Sequence, residues 1–334
     1  MTFRTSPLWW PLMAALSPVL VPVLLAKNRH FKENQKQAVR VNQERIGKAK
    51  HLDFPALKSI ELTVLMEWAT EEGFIGEPGV SYLFKTDQGS LLYDVAFGPD
   101  RGSLGQNVEK LGVSFKDIDA LAISHLHPDH MGGMKAFRSK EKRVSAPEQL
   151  GNPDGKPCYL PDQVKTPGFS SELVTVPMML TAGIASTGPL ARSLFFLGFT
   201  EEQALVAKLE GKGLVVFTGC GHPTIEVILN MVTSLSDDPI YAIGGGLHFP
   251  LTSGRGSYAG MPGIKFQMIV GTGKPPWRWI SDHELSSTIE TINAAGPKHV
   301  FLSEHDTCDY SIQRFKNELA AETKALKAGA TYSL

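Results

Sequence analysis

The stretch LAISHLHPDHMGG, residues 121–133, sets His125, His127, Asp129 and His130 within six positions, between an apolar run and two glycines. Imidazoles and carboxylates are poor core material, so packing alone gives no reason to crowd them into one turn. A metal ion does, because neutral imidazole nitrogens and carboxylate oxygens are the ligands that zinc and similar divalent ions take. In extended chain alternate side chains point the same way, so His125 and His127 can converge on one ion. Pro128 then turns the backbone and redirects Asp129 and His130 toward a second position nearby. Gly132 and Gly133 let the chain leave tightly. Any fold for this chain must therefore end a strand in an open, polar cleft.

Four further polar residues stand where an apolar run stops. Asp94 lies in LLYDVAFG, His222 follows LVVFTGCG, His248 follows YAIGGGL and His305 follows VFLSE. Strand ends opening into loops are where α/β folds gather side chains into a cleft. From about Ser59 the chain reads as short β-type runs broken by Gly and Pro: SIELTVLMEW, VSYLFKT, SLLYDVA, DALAIS, PIYAIGG and KHVFLSE. QALVAKL and GLVVFTG form a hairpin across EGKG. LGQNVEKLGV and HPTIEVILNMVTSLS have helical periodicity, and further helices are expected near 282–294 and 309–327. Strands with helices interleaved argue an α/β layered domain rather than a bundle or an all-β sandwich.

These segments resemble the metallo-β-lactamase fold superfamily, whose binuclear hydrolases carry HxHxDH after a strand. SYLFKTDQGSLLYDVAFGP, QNVEKLGVSFKDIDALAISHLHPDHMGG, EQALVAKLEGKGLVVFTGCGHPTIEVIL and AIGGGLHF look more narrowly like the subfamily of ribofuranosylaminobenzene 5′-phosphate:dihydropterin synthase-like proteins. Where that subfamily tends to end a strand in an HCTG-like motif, this chain has SEHDTC. The resemblance implies an α/β fold, a four-layer αβ/βα sandwich, over residues 59–334. It implies a first metal site of His125, His127 and His222 and a second of Asp129, His130 and His305, with Asp129 and His130 also catalytic. Asp94 would orient a ligand histidine from behind. Cys220 has two readings, zinc ligand or tight packing beside two glycines, and it is left out of the ligand set. His248 is either a substrate contact or an incidental imidazole in a glycine turn.

A site rich in histidine and carboxylate suits two divalent ions, zinc first, with manganese or iron as alternatives. Histidine at 127, where redox di-iron relatives carry a carboxylate, favours hydrolysis over electron transfer. The expected reaction is attack of a metal-activated water on an ester, lactone or phosphate ester. Two other functions compete: condensation of a dihydropterin with an aminobenzene ribosyl phosphate, and a non-catalytic metal-binding sensor or scaffold. Residues 249–281 contain Arg255, Lys265, Lys274 and Arg278, no acid, and the aromatic PPWRW. This stretch is a candidate lid or binding loop whose charge favours an anionic small-molecule substrate; a surface insertion or membrane-contacting patch is the other reading.

With a formal charge of −1 the chain lacks the positive field of a nucleic-acid binder. Its three cysteines, Cys158, Cys220 and Cys308, are too few and too scattered for a disulfide framework. The N-terminus is the anomaly. LWWPLMAALSPVLVPVLLA, residues 8–26, has no charge over 19 positions, about the length that crosses a bilayer, yet Pro11, Pro18 and Pro22 oppose a straight helix. The expectation is an apolar membrane-associating segment over 1–26, touching membrane lipid, with a transmembrane helix among its forms. A basic helical linker would follow over 27–58, from Lys27, Arg29, Lys32 and Lys36 to Lys50. By the positive-inside tendency the catalytic domain would face the cytoplasm.

Overall fold

The computed structural model describes residues 9–252, 257–258, 261–262, 273–275 and 277–334, by backbone alone at 9–10, 12–13, 257–258 and 261–262. Two sheets lie face to face. One runs in the order Thr331–Ser333, Ile60–Met66, Ser81–Thr86, Gly89–Tyr93, Ala120–Ala122, Pro157–Leu160 and Ser170–Leu173. The other runs Glu322–Ala325, His299–Leu302, Ile240–Gly245, Gly213–Phe217, Leu205–Leu209, Ile184–Ser186 and Met178–Met179, with Ala56–Leu57 pairing onto Leu205–Leu209. The inner core is made by alternate residues of both sheets, Leu62, Tyr82, Phe84 and Leu91 facing Leu205, Val215, Phe217 and Phe301. Phe84 and Phe217 meet edge-to-face at 5.0 Å, a contact worth about 0.5–1.5 kcal/mol beyond the area it buries.

The outer faces of both sheets are also apolar and are covered by helices. Ser103–Leu111 packs through Leu104 and Val108 on one side. Ile225–Leu235, Asp282–Ala295 and Asp309–Glu318 cover the other through Ile228, Leu285, Ile289 and Phe315. The result is a four-layer αβ/βα sandwich.

Strand direction decides where the polar residues gather. Gly213–Phe217, Ile240–Gly245 and His299–Leu302 run parallel, so their C-terminal ends share one edge. Gly89–Tyr93 and Ala120–Ala122 are likewise parallel in the other sheet. The loops after these five strands carry His222, His248, His305, Asp94 and His125. Sequence reading extended the last helix to 327. It stops at Glu318, and Glu322–Ala325 instead pairs in parallel with His299–Leu302. Ladder bonds to a waiting strand edge override the helical propensity of LAAETKALKA.

The expectations of a transmembrane helix and of a membrane-associated protein are corrected here. Among the described residues no helix is long and apolar enough to cross a membrane. Trp9–Lys48 is one continuous helix with Pro18 and Pro22 inside it, and its uncharged part runs straight into Lys27, Arg29 and Lys32. Pro18 and Pro22 each remove a backbone donor from the uncharged part of that helix. Residues 1–8 and the side chains of Trp9, Trp10, Leu12 and Met13 lie outside the described residues. The basic half is docked. Phe31 and Ala38 are buried, and the Asn42 amide exchanges two hydrogen bonds with the Ala191 backbone at 2.9 and 2.7 Å. Arg45 donates to Pro189 O and lies 2.5 Å from Glu201.

Candidate metal centre

His125 leaves the end of Ala120–Ala122 with its ring buried. Nδ1 lies 2.9 Å from Ser124 Oγ, and Nε2 has no hydrogen-bond partner among the described residues. His127 is still extended, at φ −91° and ψ 155°, and precedes the short helix Pro128–Met131. That helix turns Asp129 and His130 away from the strand direction. Its exit needs Gly132, at φ 110°, where a Cβ would come within 2.1 Å of Ser145 O. His222 reaches the cluster from the opposite sheet, its Nε2 3.1 Å from His127 Nδ1. Two nitrogens on one tetrahedral ion stand about 3.3 Å apart for bonds of ~2.0–2.1 Å, so this spacing suits a shared ligand shell.

Three ligand groups emerge, the atoms within each lying within 4.8 Å of one another: His125, His127 and His222; Asp129, His130, Cys220 and His305; and Cys220, His222 and His248. Sequence reasoning left Cys220 outside the ligand set. Its Sγ stands 3.0 Å from His130 Nε2 and 3.2 Å from His305 Nε2. In TGCGH, Cys220 and His222 alternate about Gly221. Gly221 has φ 69°, and a Cβ there would meet Gly246 O at 2.4 Å. Both side chains are thereby turned inward.

Behind the candidate ligand atoms stands a set of buried carboxylates. Asp94 Oδ2 is 2.7 Å from His130 Nδ1, which fixes the ring proton there and leaves Nε2 with its lone pair. The same carboxylate accepts from Ser124 N and Oγ, each at 2.7 Å, so it also steadies the hydroxyl behind His125. Glu202 accepts from the backbone N–H groups of Gly219, Gly221 and His222 at 3.0, 2.8 and 2.8 Å and holds the whole TGCGH loop. Glu67 accepts from Ser303 Oγ, which is hydrogen-bonded to His305 Nδ1. Asp306 Oδ2 accepts from His248 N at 3.1 Å and ties two strand-end loops together. Glu67, Glu202, Ser303 and Asp306 were missed from the sequence. Glu67, ending the apolar run IELTVLM, carried the same strand-end signal as the histidines.

Burial sets the protonation of the cluster. It holds His125, His130 and His222 well below the usual imidazole range and pushes His127 down to about 3, so these rings are neutral, ready donors. His305 goes the other way. Burial disfavours its cation, but Asp306, Glu67 and Asp129 together outweigh that and raise it to about 9. Burial pushes the Cys220 thiol well up, with Asp129 and Asp306 adding to it. Glu202 is raised to about 7 by burial, against its three backbone donors.

His248 sits at φ 60°, its ring centroid 4.9 Å from that of His222. Neither ring nitrogen has a hydrogen-bond partner among the described residues. Asp306 stands 3.5 Å from Nδ1, close but outside hydrogen-bond geometry. Of the basic stretch, Arg255 and Lys265 lie outside the described residues. Lys274 is paired with Glu284, and Arg278 is exposed.

Residues 75–232 match the model of the Metallo-beta-lactamase superfamily. The chain is 24% identical over 213 residues to the 7,8-dihydropterin-6-methyl-4-(beta-D-ribofuranosyl)-aminobenzene-5′-phosphate synthase of Methanocaldococcus jannaschii, covering 52% of this chain and 72% of that protein. Among solved structures it is similar to a metal-dependent hydrolase of the beta-lactamase superfamily, with a TM-score of 0.57 and 21% identity, covering 82% of this chain and 98% of the other. The metallo-beta-lactamase fold protein YhfI from Bacillus subtilis aligns with a TM-score of 0.49 and 17% identity, covering 83% and 100%.

Proposed function

We propose, on the premise that this chain is a member of the metallo-β-lactamase superfamily, that it is a binuclear metal-dependent hydrolase of small anionic esters, phosphate esters first among them. The observation that carries this is two adjoining ligand groups at one sheet edge, one of neutral imidazoles and one holding an acid and a thiol. The donors fit the group they imply. His125 Nε2 is buried with no hydrogen-bond partner among the described residues, a cost of about 1–3 kcal/mol that a cation would relieve. His125, His127 and His222 would hold one ion; Asp129, His130 and His305 would hold the other, joined by Cys220. Divalent ions there supply Lewis acidity, polarising a substrate oxygen and bringing the pKa of a water toward ~7.

The chain's own residues account for the rest. Asp94 keeps the His130 proton on Nδ1. Glu202 holds the backbone that presents Cys220 and His222. Asp129 has the most open carboxylate of the set, its side chain 27% exposed, and so is placed to exchange a proton with solvent. The condensing activity in the archaeal relative's name rests on a 24%-identical stretch alone. A sensor or scaffold would have no need of a full ligand set opening onto a cavity.

Elemental analysis of purified protein is expected to find close to two divalent ions per chain. The loaded protein should turn over at least one member of a panel of phosphomonoesters, phosphodiesters, lactones and thioesters. Folded, reconstituted protein that holds no metal would sink the proposal.

A further inference from the structure

The hairpin Leu190–Leu194/Gly198–Glu202 pairs Arg192 with Thr200 and Leu190 with Glu202. Directly paired residues, and those two apart, share a face of a ladder. One face therefore carries Glu202, which holds the TGCGH loop, Thr200, whose Oγ1 lies 3.5 Å from His127 Nε2, and Arg192. Arg192 lines a cavity of about 190 Å³ whose wall also includes His222 and His248. Its strand is clamped on both sides of it, by Asn42 at Ala191 and by Ser193 Oγ donating to Phe31 O at 3.1 Å. The backbone beneath the guanidinium is thus held in place.

Among the described residues that guanidinium makes no hydrogen bond and has no carboxylate oxygen within 4.0 Å. The two acids on the cavity wall are already engaged. Glu284 is held by Lys274 and by Ser281 Oγ at 3.0 Å, and Glu226 accepts from Thr288 Oγ1 at 2.7 Å. They keep the arginine charged from a distance without occupying its donors. A part-buried guanidinium with its fork open is built for a planar or tetrahedral oxyanion. The cavity has room for a small anionic group.

We propose that Arg192 is a specificity-determining residue, binding a carboxylate or phosphate group of the substrate that lies away from the bond cleaved at the metal centre. This rests on the hydrolase reading and narrows its substrate to a small ester with a second, distal oxyanion.

The test uses metal-loaded protein and three matched esters that share a leaving group and differ only in a distal carboxylate, phosphate or neutral amide. Arg192→Gln is expected to raise KM for the anionic esters by about 10- to 100-fold, the effect of a lost charge-assisted hydrogen bond. kcat, the amide ester and the metal content should stay within about threefold, as for loss of uniform binding. The ester with the larger loss identifies the group. Equal losses on all three would overturn the assignment while leaving the hydrolase intact. If Arg192→Gln does not fold, Arg192→Lys keeps the charge and loses the fork, and a KM rise confined to the anionic esters is still required. If none of the three esters is hydrolysed, the hydrolase reading is decided separately, by the wider panel of phosphomonoesters, phosphodiesters, lactones and thioesters. Calorimetry with succinate and inorganic phosphate then decides the subsite: binding weakened tenfold or more by Arg192→Gln upholds it, and unchanged binding removes it.

Discussion

The two adjoining ligand groups are built in opposite ways. His125, His127 and His222 are three imidazoles that burial keeps neutral, and two of their nitrogens stand 3.1 Å apart. Asp129, His130, Cys220 and His305 are mixed donors with acids behind them, Asp94 at His130 and Glu67 with Asp306 around His305. The first group brings no compensating charge, so an ion there would keep its full Lewis acidity. The second already balances its acids with a proton on His305, and a cation has to displace that proton. One half is a receptor waiting for charge; the other is a charge balance that a metal would rewrite.

The largest effect that can break this contrast is removal of one ligand from each half. His127→Ala is expected to lose metal and to reduce turnover by a thousandfold or more. His305→Ala should fall to about one ion per chain, because the imidazole group does not depend on it. Loss of both ions from both variants, read by elemental analysis, would mean a single cooperative site.

Residues behind the ligands come next. Asp94→Asn and Glu202→Gln should each weaken metal affinity by about 10- to 100-fold, the usual effect of removing a partner that orients a ligand. Competition with a chelator measures it. Asp94→Asn should act on the mixed half through His130, Glu202→Gln on both halves through Cys220 and His222. Identical affinities for wild type and Glu202→Gln would show that the TGCGH loop holds itself.

Cys220→Ser tests whether the thiol belongs to the mixed half. A modest, several-fold weakening of the second ion is expected, with a cobalt-substituted protein losing its sulfur-to-metal absorption. An unchanged cobalt spectrum would return Cys220 to a packing role.

The smallest effect is the pH dependence of stability in metal-free protein. His127 has a folded value of about 3 against 6.5 unfolded, so the unfolded chain binds more protons between those values. Stability is present above pH 6.5 and is lost as pH falls toward 3. His305 has a folded value of about 9, so its contribution is present below pH 6.5 and is lost as pH rises through 9. The melting temperature should peak between the two arms. Metal should flatten the alkaline arm, since the ion takes the place of the His305 proton. An alkaline arm that persists in loaded protein would place His305 outside the metal shell.

Much of this was legible in the chain because it is local. HLHPDH needs only alternation and one proline to send four donors to two places, and the runs before Asp94, His125, His222 and His305 read as strands on composition and period. TGCGH carries both Cys220 and His222, but nothing local says that the Cys220 Sγ meets His130, ninety residues away. Glu202 and Arg192 lie on a hairpin whose sequence, LARSLFFLGFTEE, gives little turn or alternation signal. The apolar N-terminus misled for a related reason: hydropathy counted an uncharged run and could not count the helix continuing through it onto the Leu190–Leu194 strand.

By itself, then, the sequence determined the donor types, their spacing within each turn, the strand–helix order and hence the class of fold. Only the tertiary structure decided which donors share a site, which carboxylate stands behind which imidazole and which arginine lines the cavity beside them. The physical reason is range. Dihedral preference and side-chain alternation act over a few residues and are written in the local chain. Burial, the protonation it imposes and the meeting of residues 67, 94, 130, 202, 220 and 305 depend on two sheets packing face to face, and no stretch of the chain holds that information alone.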